Sequence, residues 1–513
     1  MIRKGAFTHF RYGVDQLTVE KALNISNGQI RGILTDDVKE RIIKNYNIVQ
    51  SIAKGEHLVY SINTGFASLC TTRISKEETG KLQENLLKSH SVGVGLPVDF
   101  EISKLMLILK VQALSMGYSG ISLEVVERIC WHIDNNFIPL VPEQGSVGAS
   151  GDLAPLAHLF LPLIGLGYLS KNGDNYFPAK NILEQHNMEP LKLQAKEGVA
   201  LINGTQFIAA CAIKVIEKLS NCINHADLIG ALTLESYLGS PQPFAEKLIS
   251  LRPHRGAVIV ANIFRKLLEN SELVESHKDC ARVQDPYSIR CIPQVHGASR
   301  DALSHLKEKL ECEINSVTDN PVIFGENETY SGGNFHGQPL ALPIDYVSLA
   351  ASELGNISDR RTYLLLEGKW DLPLYLIENA GLNSGFMMAQ YTSAALVSEN
   401  KSLCFPASAD SIPTGGGQED HVSMGAISVR KALRIISNLE KILAIELLCA
   451  SQAFDFRRPL KSSKILEAIH EYIRAKIPHL SEDTILSSYI DIAIEIIRSN
   501  KLLIIAQKFL KAD

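Results

Sequence analysis

VPEQGSVGASGDLAPLAHLFLPLIGLG, residues 141–167, joins a glycine-rich loop to an apolar helix. Asp152 suits an N-cap and Pro155 a first turn, because the N–H that proline lacks has no intrahelical partner there. The loop therefore ends at the positive end of a helix dipole. Gly145, Gly148 and Gly151 let the backbone bend sharply. If the bend is tight enough, the Gly151 amide nitrogen, unshielded by a Cβ, reaches the Ala149 carbonyl carbon and closes a five-membered ring. Loss of water from that ring and from the Ser150 hydroxyl leaves a methylidene-imidazolone. This is an electrophile made from the chain itself, and a helix N-terminus favours the negative charge that develops on it. As a bare tripeptide, Ala149-Ser150-Gly151 is more often just a turn before a capped helix.

The rest of the composition narrows the function class. At 513 residues the chain is long for one compact core, so one large elongated unit or two fused domains is expected. Hydrophobic residues at 45% and charged residues at 21% describe a globular protein rather than a disordered one. A net charge of -5 with both signs mixed gives no electrostatic case for nucleic acid or an anionic membrane as partner. The start, MIRKGAFTHFRYGVDQ, has basic residues but no apolar run behind them, so no signal peptide is expected. The apolar run 153–169 is broken by Pro155 and Pro162 and is shorter than a membrane span of about 20 residues. Nine cysteines with no C-x-x-C pair fit reduced thiols in the cytoplasm. No P-loop, H-E-x-x-H, G-x-S-x-G or cysteine cluster for a metal is present, and no metal is expected.

Helical spacing of apolar residues predicts helices over 36–52, 302–317, 344–366, 384–401, 421–453 and 484–511, and a long one running from Leu201 towards Leu238. Few strands compete: Asn172-Gly173 marks a hairpin over 168–177, and 322–330 suggests a second. The fold class is therefore mainly α, with long helices forming a bundle. Tyr60-Ser61-Ile62-Asn63-Thr64-Gly65-Phe66 forms a polar loop, and taken alone Tyr60 is a packing tyrosine. His90 closes an amphipathic helix, where a capping role is the usual one. Residues 284–297, QDPYSIRCIPQVHG, look too proline-rich for regular structure. Such a polar loop suits binding, and Arg290 in it offers a planar fork for a carboxylate. Gly415-Gly416-Gly417-Gln418-Glu419-Asp420-His421 reads as a linker and a cap.

Read together, these segments resemble one family. GSVGASGDLAPLAH (145–158) resembles the cofactor loop of the aromatic amino acid ammonia-lyases and aminomutases. YSINTGF resembles the family's Y-G-I-N-T-G-F-G loop, with Ser61 and Ala67 where glycine is usual. Residues 284–294 resemble Q-D-x-Y-S-[LI]-R-C-x-P-Q, and SGGNFHG (331–337) resembles another family loop. Ser89-His90 and QEDHVSM (418–424) resemble the histidine-specific members, although Gly415-Gly416-Gly417 stands where those commonly show Ser-Ala-Asn.

The resemblance implies an N-terminal cofactor-loop domain over 1–200 and an elongated helical-bundle domain over 201–513. It implies non-oxidative deamination of L-histidine to trans-urocanate and ammonia. The cofactor implied is a methylidene-imidazolone formed from Ala149, Ser150 and Gly151, with no external cofactor. Tyr60 is implied as the base, with Asn203, Tyr287 and Glu419 also catalytic. His90, Gln284, Arg290 and Phe335 are implied to bind substrate, Arg290 through the carboxylate. The partners implied are the amino acid and further copies of the chain, in a cytoplasmic homotetramer with shared sites. A tyrosine or phenylalanine lyase or aminomutase, and a catalytically silent helical scaffold, remain as alternatives.

Overall fold

Among the residues described, 9–55, 59, 61–65, 74–75, 78–280 and 282–510, the computed structural model contains twenty α-helices and nine strands of two to four residues. The fold is mainly α, as the apolar periodicity predicts. The helices Asp36–Lys54, Gln206–Ser236, Gln338–Leu365, Met387–Leu403 and Gly425–Asp455 lie close to where that periodicity places them. Both hairpins form: Tyr168–Ser170 pairs antiparallel with Phe177–Pro178, and Val322–Gly325 with Glu328–Tyr330.

Three expectations are corrected. Residues 284–297 are not an irregular loop, because Tyr287–Arg290 and Ile292–Glu313 are helical. Pro293 sits in the first turn of the second helix, where no N–H is required of it, so the prolines start helices here instead of preventing them. The helix expected from 302 therefore begins ten residues earlier, at Ile292, and ends at Glu313 rather than 317. The helix expected over 484–511 is two helices, Leu486–Arg498 and Lys501–Leu510, separated at Asn500, whose φ of +57° is left-handed.

The chain groups into two compact units. The first comprises Met1–Lys214, Leu306–Ile344 and Pro406–Arg430. Its centre is the helix Phe100–Leu114, buried on every face from Ile102 to Leu114. In the same unit Thr79–His90 packs against Leu153–Phe160 and Glu197–Ile202. Gln83 joins two of these, its buried Oε1 accepting from the Val199 N–H at 3.2 Å. The strand Val94–Pro97 pairs antiparallel with Pro142–Gln144, which brings the end of the first helix beside the glycine-rich loop.

The second unit comprises Val215–His305, Asp345–Phe405 and Lys431–Asp513. Its interior holds a charged centre on which Arg361 and Glu446 are both 0% exposed. Arg361 donates to Glu446 through Nε at 2.6 Å and Nη2 at 2.8 Å. Thr233 Oγ1 at 2.8 Å and Ser358 Oγ at 2.6 Å complete the carboxylate. Arg361 Nη1 lies 3.1 Å from His296 Nε2. A guanidinium only donates, so Nε2 accepts and the Nδ1–H faces Asp227 Oδ1 at 2.7 Å. Four helices are thereby fastened by one saturated network.

Candidate active site

The glycine-rich loop is bent by three left-handed residues, with φ of +85° at Gly148, +51° at Ser150 and +83° at Gly151. Two glycines make the bend possible. A Cβ on Gly151 would stand 2.2 Å from the Gly204 carbonyl oxygen, and one on Gly148 would stand 2.3 Å from Ser423 Oγ. Gly151 and Gly204 form a parallel bridge, in which the Asp152 N–H donates to Gly204 O at 2.8 Å and the Gly204 N–H to Ser150 O at 3.3 Å. On the other side the Met424 N–H donates to Val147 O at 3.0 Å.

Asp152 occupies the cap position of Leu153–Phe160, but its side chain does not cap that helix. The carboxylate instead accepts from the Ile208 N–H at 2.9 Å, in the first turn of Gln206–Ser236. Burial at 0% exposure pushes its pKa up to about 7, against the pull of the Ile208 and Phe207 amides and the Ser146 hydroxyl. One carboxylate thus ties the loop to the next long helix.

Asn203 ends the helix Glu197–Ile202 immediately before Gly204, which places it beside the bent loop. Its Nδ2 donates to Asn320 O at 2.9 Å. Lys110 donates to its carbonyl, and Lys196 pairs with Asp319 Oδ2 at 2.6 Å. Burial lowers the Lys110 pKa to about 7, which Asp319 opposes and the like charge of Lys196 reinforces. This cluster went unread in the sequence, where its one signal was a lone lysine inside the apolar run MLILKVQAL.

His90 and Glu419, far apart in sequence, come within electrostatic reach of each other. Burial lowers the His90 pKa, while a Leu86 backbone contact and the Glu419 charge oppose that fall. Ser89 Oγ lies 3.0 Å from His90 Nδ1, which leaves Nε2 to face other groups. Glu419 ends a turn that opens at Thr414: the two residues pair through their backbones, and Thr414 Oγ1 donates to Glu419 Oε2 at 2.9 Å. Between them Gly415, Gly416 and Gly417 have φ of +58°, +68° and +88°. The glycine run is a turn with defined hydrogen bonds, not a plain linker.

Phe335 is half-buried in the segment that leads to Gly337, which itself packs on Ser423. Beside it the Gln338 N–H donates to His336 Nδ1 at 3.3 Å, so a neutral His336 carries its proton on Nε2 and directs it to His421 Nδ1 at 3.3 Å. Among the described residues no group of three or more His, Cys, Asp or Glu is placed to hold a metal ion. No helix among them is long and apolar enough to cross a membrane. Tyr60 lies outside the described residues.

The second unit gathers the other three candidates. Gln284, Tyr287 and Arg290 line an open cleft of about 710 Å³ with Tyr237, Arg282 and Trp370. The Arg290 guanidinium lies 4.4 Å from the Tyr287 ring centroid, and its Nε has no hydrogen-bond partner. Arg282, lining the same cleft, is held by the Tyr237 and Trp370 rings at 5.1 and 4.6 Å and by Asp285.

Comparison with known proteins places this arrangement. A family model described as aromatic amino acid lyase matches residues 17–475. The chain is 46% identical over 487 residues to a histidine ammonia-lyase of Natranaerobius thermophilus, covering 94% of this chain and 95% of that one. It superposes on the crystal structure of histidine ammonia-lyase from Trypanosoma cruzi with a TM-score of 0.89 at 38% identity, covering 98% and 96% of the two chains. It is also similar to a tyrosine aminomutase of Streptomyces globisporus, with a TM-score of 0.92, 32% identity and coverage of 98% and 99%. A family match across most of the length, together with a relative 46% identical over 94% of the chain, makes this chain a member of the aromatic amino acid lyase family.

Proposed function

We propose that the chain is a histidine ammonia-lyase, which eliminates ammonia from L-histidine to leave trans-urocanate. The observation that carries this is that the unit holding the bent loop also holds His90 and Glu419, whose charge acts on the His90 imidazole. A neutral imidazole has one donor and one acceptor nitrogen, so a site for it needs polar partners at the ring edge. His90 and Glu419 supply both kinds.

Elimination needs an electrophile to make the amine a better leaving group and a base to take the β-proton. The residues here fit a methylidene-imidazolone: positive φ at Ser150 and Gly151 bends the tripeptide, and Gly151 carries no Cβ between its nitrogen and the Ala149 carbonyl. That group would supply the electrophile. Asp152 and Gly204 hold the loop in the bend, and Asn203 stands next to it with its amide oriented by the Asn320 carbonyl. Arg290 grips the substrate carboxylate, with Gln284 and Tyr287 beside it, and Phe335 packs near the cofactor. Tyr60 removes the β-proton. The chain acts as a cytoplasmic homotetramer whose sites are completed by loops of neighbouring copies.

The tyrosine aminomutase likeness favours a second substrate, since a phenol hydroxyl can also bond to His90. It would leave Glu419 without a partner from the ring, a penalty of about 1–3 kcal/mol or more. The test is kcat/KM for histidine and tyrosine on one preparation, with the product of each identified. Histidine should be preferred and yield urocanate; a preference for tyrosine overturns the assignment.

A further inference from the structure

Resting on the histidine reading above, we propose that Thr414 and Gly415 are positioning residues for the ring pocket: the hydroxyl of one and the missing side chain of the other fix where the Glu419 carboxylate stands. Glu419 is half-buried on an otherwise exposed turn, and a carboxylate there has rotamer freedom and water to satisfy it. Two features remove that freedom. Thr414 Oγ1 donates to Oε2 at 2.9 Å, and the backbones of the same two residues exchange hydrogen bonds, Thr414 N–H to Glu419 O at 2.9 Å and Glu419 N–H to Thr414 O at 3.4 Å. The hydroxyl occupies Oε2 and leaves Oε1 for the substrate.

Gly415 acts by what it lacks. On this backbone a Cβ at Gly415 would lie 2.5 Å from Glu419 Oε2 and 2.8 Å from Cδ, closer than non-bonded atoms approach, so in this turn a side chain there would push the carboxylate from its present place. Gly417 is the natural comparison. Its φ of +88° is also left-handed, but a Cβ there would meet nothing within 4 Å. In this turn glycine at 417 serves the backbone alone, whereas at 415 it serves both the backbone and the place of Glu419. Thr414 and Gly415 thus hold the Glu419 carboxylate in one place, in the same unit as His90, whose imidazole feels its charge.

The experiment measures kcat and KM for histidine in the full-length enzyme and in Thr414→Val, Thr414→Ser, Gly415→Ala, Gly417→Ala and Glu419→Gln, each checked for intact fold by circular dichroism. Thr414→Val removes a hydrogen bond to a charged acceptor and should lower kcat/KM roughly tenfold. Thr414→Ser, which keeps the hydroxyl, should restore most of that. Gly415→Ala should lose more than Gly417→Ala, although both place alanine in a left-handed backbone. Residual turnover of phenylalanine, which has no ring nitrogen to read, should fall less than turnover of histidine in Thr414→Val. An unchanged Thr414→Val, equal losses in the valine and serine variants, or Gly415→Ala no worse than Gly417→Ala would each overturn the proposal. Glu419→Gln separates the two levels. If it loses activity while Thr414→Val does not, only the positioning role fails. If it leaves histidine turnover intact, the substrate assignment of Glu419 fails and this proposal with it.

Discussion

Replacing Arg361 with Met should expose how much of the second unit's stability depends on its buried charges. The substitution keeps most of the side-chain stem and removes the donors to Glu446 and His296. Glu446 then remains buried at 0% exposure with only the Thr233 and Ser358 hydroxyls as donors. Orphaning one member of a buried ion pair costs about 3–5 kcal/mol, which is a large part of a typical folding free energy. An orphaned carboxylate has a raised pKa in the folded state. Stability linked to such a group is fully present below its unfolded pKa of about 4.3 and is lost as pH rises through the folded value. The deficit of Arg361→Met should therefore be smaller at pH 5 than at pH 8. Adding Glu446→Leu removes the uncompensated charge, and the two hydroxyls can turn to carbonyls one helical turn back. The double variant should recover at least roughly half of the loss. Urea unfolding followed by circular dichroism at both pH values measures this. A deficit independent of pH, or a double variant no more stable than the single one, would refute the argument.

Two further outcomes are expected. If the bent tripeptide closes into the methylidene-imidazolone, the intact mass should fall short of the sequence by two waters per chain, and Ser150→Ala should show the full water content of an unclosed loop with its helical content unchanged; a wild-type mass equal to that of the unmodified sequence removes the cofactor from the account. Asp152, with a folded pKa near 7 against about 3.9 unfolded, holds its proton more tightly when folded, so the stability it contributes is present below about pH 4 and lost as pH rises to about 7. Asp152→Asn should flatten that part of the urea-midpoint profile, and an unaltered slope would mean the carboxylate is not titrating there.

Much of the helical framework is legible from apolar spacing, because most helices bury one face and show the other to water. The helix Phe100–Leu114 gives no such signal, being buried all round, and the buried Lys110 within it is visible only as an oddity. Asp152 marks a real helix start, yet sequence proximity names the wrong helix as the one its side chain caps. The nearest helix is assumed because local spacing cannot see Ile208 folding back onto the loop. Pro286 and Pro293 look like breakers until their places are known, the first at the cap position before one helix and the second in the first turn of the next. The glycines 415–417 read as slack chain, and only the side chain of Glu419 lying where a Cβ would be shows what they permit. Motif strings, by contrast, carry the family with little help from the fold.

The bend at Ser150 is bonded on both sides to partners made much later in synthesis, to Gly204 through its carbonyl and N–H and to Met424 through the N–H that reaches Val147. A nascent chain that has not yet produced them possesses the tripeptide but not its shape. If the tripeptide closes into the methylidene-imidazolone, a ring closure that depends on the bend would wait until the first unit has assembled around it. Maturation would then serve as a chemical record that folding had finished.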